Sequence, residues 1–195
     1  MLKDQLKNYH LILGSSSPRR QNFLKIMGLD FEVRLKPIEE IYPETLKAEE
    51  ITDFLAKLKA EPFLNELKDK DILITSDTIV WFDDKAIGKP KNKALAMQML
   101  SEMSGKTHEV ISSVCFTTKE KQIVKHCFTE VKMQVLSQEE IDFYLEVFKP
   151  YDKAGSFGIQ EWIGAIGISE IKGSYNNVVG LPTHIVYQVL KDLAK

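Results

Sequence analysis

Two adjacent arginines, Arg19 and Arg20, lie in the stretch GSSSPRR (14–20), whose residue types predict the start of a helix. Ser17 suits the N-cap and Pro18 suits the first helical position. The helix dipole disfavours a cation in the first turn by about 0.3 to 1 kcal/mol. A bound anion with several charges would offset that cost, since free backbone N–H groups and arginine side chains both bind phosphate. Solvation, or pairing with nearby glutamates, explains the two arginines equally well. These glutamates are Glu39, Glu40 and Glu44.

A carboxylate, Asp77, closes an apolar stretch in SDT (76–78). In open α/β sheets ligands collect at the carboxyl ends of strands, so Asp77 is a candidate to hold a divalent cation or to activate a water molecule. An ordinary turn after the strand is the alternative, and this stretch alone favours the turn. The sequence contains no GxxxxGK[ST] phosphate loop. It also lacks the second aspartate, two residues away, that an aspartate-nucleophile phosphatase needs.

Three further side chains have a chemical and a structural interpretation. Lys89 in GKP could face a phosphate, although a lysine in such a loop is usually solvated. Gln160, at the end of DKAGSFGIQ, carries one amide donor and one acceptor that could match the edge of a base, or it is a turn residue. His108 has no partner at metal-ligand spacing, which favours a structural or hydrogen-bonding role.

Charge and composition exclude several classes of protein. The 195 residues are 44% hydrophobic and 28% charged, which is enough for one complete core. A net charge of -2 argues against partners such as nucleic acid or anionic membrane, which favour basic surfaces. No apolar run is long enough for a signal peptide or a membrane span, so a cytoplasmic location is expected. Cys115 and Cys127 are expected to be thiols.

Strand and helix patterns alternate along the chain and predict an α/β fold with a mixed sheet. A predicted hairpin between two α/β ends suggests two lobes with a cleft. The predicted strands cover residues 9–13, 31–35, 71–82, 109–118 and 123–136. The predicted helices cover residues 18–27, 49–60, 92–105, 138–148 and 181–194, and Ser137 with Glu140 forms a capping box before the fourth. Within the glycine-rich part of the chain, DKAGSFGIQ (152–160) and GSYNNVVGLP (173–182) are each expected, from the residues alone, to form tight turns.

Six ordered stretches together resemble the Maf family over about residues 10–190. They are GSSSPRR, SDTIV, GKP, SGKTHEV, DKAGSFGIQ and GSYNNVVGLP. The resemblance implies one domain, 1–195, with an elongated mixed sheet, flanking helices and two lobes around a central cleft, similar to the inosine triphosphate pyrophosphatases. It further implies a nucleoside triphosphate pyrophosphatase that uses a divalent cation, Mg²⁺ or Mn²⁺.

The same resemblance assigns roles to individual residues. Asp77 matches the proton acceptor, Glu40 matches a carboxylate that shares the metal with Asp77, and Lys89 completes the catalytic set. The residues implied for substrate binding are Ser17, Arg19, Arg20, Lys59, Thr78 and Gln160. Within that set Arg19, Thr78 and Gln160 match specificity positions, and Arg20 matches a phosphate-binding position. Phe157 stands where the family often has tyrosine, so any role of that hydroxyl is absent here.

GIQ together with GSYNNVVGLP resembles the branch of the family that acts on dTTP and UTP. That likeness implies hydrolysis of these nucleotides, or of modified pyrimidine nucleotides, to the monophosphate and pyrophosphate. Two alternatives stay open: a catalytically idle nucleotide-binding regulator of cell division, and a phosphatase that removes the terminal phosphate. The expected partner is a small-molecule nucleoside triphosphate, without nucleic acid or membrane, and a homodimer is one oligomeric state that the sequence allows.

Overall fold

The computed structural model describes residues 1–195 and contains seven strands and eight helices. The strands are β1 (His10–Leu13), β2 (Glu32–Val33), β3 (Asp71–Phe82), β4 (Lys85–Ile87), β5 (Thr107–Thr117), β6 (Gln122–Met133) and β7 (Ile168–Lys172). The helices are α1 (Leu2–Gln5), α2 (Pro18–Ile26), α3 (Glu49–Leu58), α4 (Lys93–Met103), α5 (Gln138–Phe148), α6 (Trp162–Gly167), α7 (Tyr175–Val179) and α8 (Thr183–Leu193). Two 3₁₀ turns cover Glu61–Glu66 and Ala154–Ser156.

The strands form one mixed sheet in the order β2-β1-β3-β5-β6-β7, with β4 paired to β3. β1 pairs in parallel with β2 and with β3, in the second case from His10 opposite Asp71 to Leu13 opposite Ile74. β4 and β7 pair antiparallel with β3 and β6 respectively. The expected mixed α/β class is confirmed.

The chain divides into two compact units. The first comprises residues 1–77, 112–127 and 180–195, and the second comprises 78–111 and 128–179. In the first unit, alternate side chains of β3 pack into two separate cores. Ile72 and Ile74 pack with α2 and α8, whereas Leu73 packs with α3 and the 3₁₀ turn that follows it. The second unit has its own core, formed by α4, α5 and the strand residues beneath them. The cleft that the sequence predicts between two lobes remains a prediction.

Helix starts follow the predicted caps. Ser17 accepts a hydrogen bond from the Arg20 N–H (3.5 Å), Asn92 accepts from Leu95 (2.9 Å), and Ser137 with Glu140 forms the capping box. The expectation of tight turns in GSYNNVVGLP is wrong in part, because α7 lies within it, and the chain between the two glycine-containing stretches forms α6 and β7. β7 exists through its pairing with β6, a long-range contact that local composition does not reveal.

Neither cysteine is part of a disulfide, as expected: the Cys115 thiol is buried and the Cys127 thiol is partly buried. None of the helices combines the length and the apolar character that crossing a bilayer requires.

His108 packs edge-on against Phe157, with ring centroids 5.0 Å apart, and is only 2% exposed. Its role is structural, but neither ring nitrogen has a hydrogen-bond partner, so the expected hydrogen-bonding role is wrong. Burial lowers the pKa of His108 from 6.5 to about 4. As the pH falls, the His108 imidazole is therefore protonated at a lower pH in the folded protein than in the unfolded chain.

We expect the free energy of unfolding to decrease between pH 6.5 and pH 4, by about 3 kcal/mol from His108 alone, because each pKa unit corresponds to about 1.4 kcal/mol. Denaturant unfolding of the wild type and of His108→Phe at pH 7, 5.5 and 4 measures this contribution as the difference between the two curves. Parallel pH dependences in the two proteins would contradict it.

Candidate active site

Asp77 lies in the middle of β3, not at its end. The strand covers Asp71–Phe82, as predicted, so the expectation that Asp77 closes the apolar stretch at SDT is wrong. The parallel partner β1 ends at Leu13, opposite Ile74, so Asp77 extends beyond the carboxyl end of the neighbouring strand instead. Gly14 allows this close turn, because a Cβ there would meet the Thr75 methyl group at 2.8 Å. Asp77 therefore occupies the kind of position where α/β sheets bind ligands.

The side chains of Asp77, Lys59 and Glu40 form a linked charged group in the first unit. Lys59 Nζ lies 2.5 Å from Asp77 Oδ1 and 3.1 Å from Glu40 Oε2. Asp77 is 7% exposed, whereas the Glu40 side chain is 52% exposed. A buried carboxylate is costly unless it is paired, and here the ammonium of Lys59 supplies the pair. One carboxylate of the group is thus enclosed and the other faces solvent.

Helix α3 brings Lys59 to this place. Lys59 is the residue that caps the end of α3, directly after Leu58. Ile51, Leu55 and Ala56 of this helix are buried, Ala56 packs with Leu73 of β3, and the Thr75 hydroxyl donates to the Ala56 carbonyl (2.7 Å). Since side chains alternate along a strand, Thr75 and Asp77 both face α3. The helical spacing visible in the sequence therefore determines which lysine reaches the aspartate.

Arg20 is held by the backbone on the opposite side of β3. Its Nε donates to the Gly180 carbonyl (2.9 Å), and its Nη1 donates to the Ser76 carbonyl (2.8 Å) and to Ser15 Oγ (3.3 Å). Burial lowers the pKa of the Arg20 guanidinium, and the Asp77 carboxylate opposes that shift. An arginine stays protonated in proteins, so Arg20 carries a positive charge beside Asp77. It also connects α2, β3 and the segment before α8.

The serines before α2 form a compact loop around this guanidinium. Ser15 Oγ accepts from the Ser17 N–H (3.3 Å) as well as from Arg20, and Ser17 caps the helix. The hydroxyl of Ser76 is buried and has no hydrogen-bond partner. Buried hydroxyls are usually hydrogen-bonded in folded proteins, so Ser76 is an exception beside the Arg20 guanidinium.

Because Arg20 donates to the carbonyls of Ser76 and Gly180 in a partly buried setting, we expect Arg20→Ala to lower the free energy of unfolding by about 2 to 4 kcal/mol, since each stranded polar group costs about 1 to 3 kcal/mol. Lys25→Ala, which removes an exposed cation from the same helix, is the control and should cost less than about 1 kcal/mol. Equal losses in the two variants, measured by denaturant unfolding, would show that Arg20 is not a structural connector.

Of the other predicted site residues, Arg19 is partly buried in the first turn of α2, in the first unit, whereas Thr78, Lys89 and Gln160 belong to the second unit. Thr78 is partly buried in β3, directly after Asp77. Lys89 follows β4 and is exposed, and Gln160 is exposed immediately before Glu161. The structure thus brings Glu40, Lys59 and Asp77 together.

Sequence reasoning missed a second charged group, formed by Lys153 and Glu161 with the hydroxyl of Tyr144. Lys153 Nζ lies 2.9 Å from Glu161 Oε1, and the Tyr144 hydroxyl donates to Glu161 Oε2. Lys153 and Tyr144 are buried. The closeness of Lys153 to Gln160 in DKAGSFGIQ was the only signal available, and it is a weak one because lysines usually stay in solvent.

The donor set suits a magnesium ion only in part. Asp77 and Glu40 supply hard carboxylate oxygens and approach the same Lys59 ammonium, but no group of three His, Cys, Asp or Glu side chains is positioned to enclose a metal. Mg²⁺ is commonly bound by one or two carboxylates together with water and substrate phosphates. These residues therefore fit an ion that obtains its remaining ligands from a bound phosphate chain, with Asp77 and Glu40 as the protein's contribution.

Comparison with known proteins gives concordant results. The family model described as "Maf-like protein" matches residues 10–193. The chain is 57% identical to the dTTP/UTP pyrophosphatase of Flavobacterium johnsoniae over 193 residues, which is 99% of this chain and 100% of that protein. It is 55% identical to the dTTP/UTP pyrophosphatase of Christiangramia forsetii, over 99% of this chain and 98% of that protein.

A solved structure extends the likeness to the fold. The Staphylococcus aureus Ham1 protein superposes with a TM-score of 0.54 at 14% identity, covering 94% of this chain and 99% of that one. At this identity the likeness concerns the fold alone, and it agrees with the mixed α/β sheet described above.

Proposed function

Because this chain belongs to the Maf family, we propose that it is a nucleoside triphosphate pyrophosphatase that hydrolyses dTTP and UTP to the monophosphate and pyrophosphate. The observation that carries the proposal is the buried Asp77 carboxylate, held by Lys59 beside Glu40 and the charged Arg20. A carboxylate enclosed among cations, next to an open carboxylate, is suited to chemistry on a polyphosphate.

In this mechanism Asp77 accepts the proton of the water that attacks the phosphate chain. Lys59 orients this carboxylate, because its ammonium lies at hydrogen-bond distance from Asp77 Oδ1. When bound, a Mg²⁺ or Mn²⁺ ion would lower the pKa of water and neutralise phosphate oxygens, with Asp77 and Glu40 as its protein ligands. With such an ion bound, Asp77 would orient the attacking water and accept its proton.

Positive charge for the triphosphate comes from the arginines of α2 and from lysines. We assign phosphate contacts to Arg19, Lys89 and the loop that ends at Ser17. Arg20 contributes its charge and, through its bonds to Ser76 and Gly180, the position of β3 next to Asp77. Stabilisation of charge on the transferring phosphoryl group is usually the largest catalytic contribution.

Choice of base is assigned to Gln160 together with Thr78 and Arg19. Uracil and thymine present a carbonyl beside an N–H, which a carboxamide can pair with, whereas cytosine reverses this arrangement. Gln160 is exposed and carries such a carboxamide. We place the activity in the cytoplasm, where nucleoside triphosphates are used, and propose a homodimer as the state to test by light scattering.

Product analysis tests the proposal. The purified protein with Mg²⁺ or Mn²⁺ is incubated with a panel of nucleoside triphosphates, and pyrophosphate and orthophosphate are quantified separately. We expect pyrophosphate together with UMP or dTMP. Orthophosphate with a nucleoside diphosphate would indicate a phosphatase, and nucleotide binding without product would indicate an idle regulator. Either result would overturn the proposal.

A further inference from the structure

The segment before α6 is anchored on both sides of Gln160. Phe157 and Ile159 are buried in the core of the second unit, and Gly158 between them is buried as well. Gly164 of α6 packs directly on the backbone of Ile159, because a Cβ there would lie 1.9 Å from the Ile159 carbonyl oxygen. Gln160 is the one exposed side chain of residues 157–160. Its position is therefore determined by the backbone on either side.

A polar network holds this backbone from within the core. The Gly158 N–H donates to the Tyr144 hydroxyl (2.9 Å), and that hydroxyl donates in turn to Glu161 Oε2. Glu161 Oε1 pairs with Lys153 Nζ at 2.9 Å. The Tyr144 hydroxyl thus connects the residue two positions before Gln160 to the residue directly after it. We call Tyr144, Lys153, Gly158 and Glu161 the Glu161 network.

Burial makes this network rigid. Tyr144 is fully buried, and the Lys153 and Glu161 side chains are 10% and 20% exposed. Burial, followed by the bond to Glu161, raises the pKa of Tyr144, so its hydroxyl keeps its proton and remains the donor. Charge-assisted hydrogen bonds in such surroundings are stronger than those between neutral groups. The space is also filled, since a Cβ on Gly158 would lie 2.7 Å from the Glu161 carboxyl group.

We infer that Tyr144 and Glu161 are positioning residues for nucleobase selection, which they achieve by fixing the backbone that presents Gln160. This inference rests on the proposed function, in which Gln160 pairs with uracil or thymine. A carboxamide can pair with a base only if the backbone that carries it lies at the right distance from that base, because a misplacement of about 1 Å loses the pairing geometry. The Glu161 network fixes the position of the Gln160 backbone and does not act on the Gln160 carboxamide.

Tyr144→Phe removes only the shared hydroxyl and tests the inference. We expect the ratio of kcat/KM for UTP over that for CTP to fall about tenfold, since a displacement of about 1 Å at a positioning residue can cost up to about a hundredfold. Gly158→Ala displaces the Glu161 carboxyl group by steric contact and should lower the same ratio. A purely structural role would scale both substrates together through the folded fraction and leave the ratio unchanged.

The control is Tyr9→Phe, which removes a tyrosine hydroxyl bonded to the Leu193 carbonyl (3.0 Å) in the first unit. It should leave the ratio unchanged. Hydrogen exchange provides an independent reading: amides 158–161 should exchange faster in Tyr144→Phe than in the wild type. Unchanged nucleotide ratios in folded Tyr144→Phe and Gly158→Ala would overturn the inference.

Failure of the proposed function has a different signature. If the wild type releases pyrophosphate from none of the triphosphates, the proposed function fails. The positioning role is then judged by the calorimetric affinities of the wild type and of Tyr144→Phe for UTP and CTP. A fall in the UTP preference supports the positioning role without catalysis. Equal affinities of the wild type for the two nucleotides, or an unchanged preference in the variant, overturn it.

Discussion

Replacement of Asp77 by asparagine is expected to reduce kcat for UTP and dTTP about a thousandfold or more, while the fold persists. Asparagine keeps the shape of the side chain but cannot accept a proton, and proton transfer by a positioned group contributes about 10² to 10⁴ in rate. The loss of charge also removes the ion pair with Lys59, whose ammonium keeps Glu40 as a partner. Pyrophosphate release in steady state measures the effect.

The matched control is Glu40→Gln, which removes the other carboxylate bound to Lys59. Glu40 is exposed and is assigned to the metal only. We therefore expect Glu40→Gln to change the metal concentration required for activity more than it changes kcat. Circular dichroism and denaturant unfolding establish that both variants are folded, and mass spectrometry excludes deamidation of the introduced asparagine back to aspartate. A folded Asp77→Asn protein with activity near that of the wild type would contradict the assignment.

The second large effect is expected for Gln160→Glu. The substitution removes the amide donor and places a charge beside a carbonyl oxygen of the base. Loss of a buried hydrogen-bond partner costs about 1 to 3 kcal/mol, and more with a stranded charge. Each 1.36 kcal/mol corresponds to a factor of about ten, so kcat/KM for UTP and dTTP should fall about tenfold to a hundredfold or more. CTP and the purine triphosphates should lose much less.

Gln134→Glu adds the same charge at another exposed glutamine of the second unit and serves as the control. The measurement is the ratio of kcat/KM for UTP over that for CTP at saturating Mg²⁺ in the wild type and both variants. If the ratio is the same in Gln160→Glu and in the wild type, Gln160 is a turn residue and the base is selected elsewhere.

The sequence alone determined most of the regular structure. Capping residues and helical spacing are local properties, so α2, α3, α4, α5 and α8 begin where Ser17, Asn92, Ser137 and the apolar faces predict. β3, β5 and β6 follow from long apolar and β-branched runs for the same reason. The Maf resemblance was carried by ordered motifs, and the family match over residues 10–193 confirms it.

Tertiary contacts decided the rest. β7 has no strong strand pattern of its own and exists because β6 offers an antiparallel edge from Glu130 to Met133. β2 shrinks to Glu32–Val33, the two residues that pair in register with Ile12 and Leu13 of β1. Strand pairing depends on neighbours that are distant in sequence. Local composition therefore misses β7 and predicts a longer β2 than the fold contains.

The candidate active site likewise combines features that are visible in the sequence with features that only the tertiary structure decides. The types and order of Arg20, Lys59 and Asp77 were visible in the sequence. That Lys59 pairs with Asp77, and that Arg20 is committed to the carbonyls of Ser76 and Gly180, depends on how α2 and α3 pack on opposite faces of β3. Likewise, only the fold joins Tyr144 to Glu161, 17 residues apart, behind Gln160. Burial and side-chain distance arise from packing, and both set the strength of charge interactions, so they cannot be obtained from residue types alone.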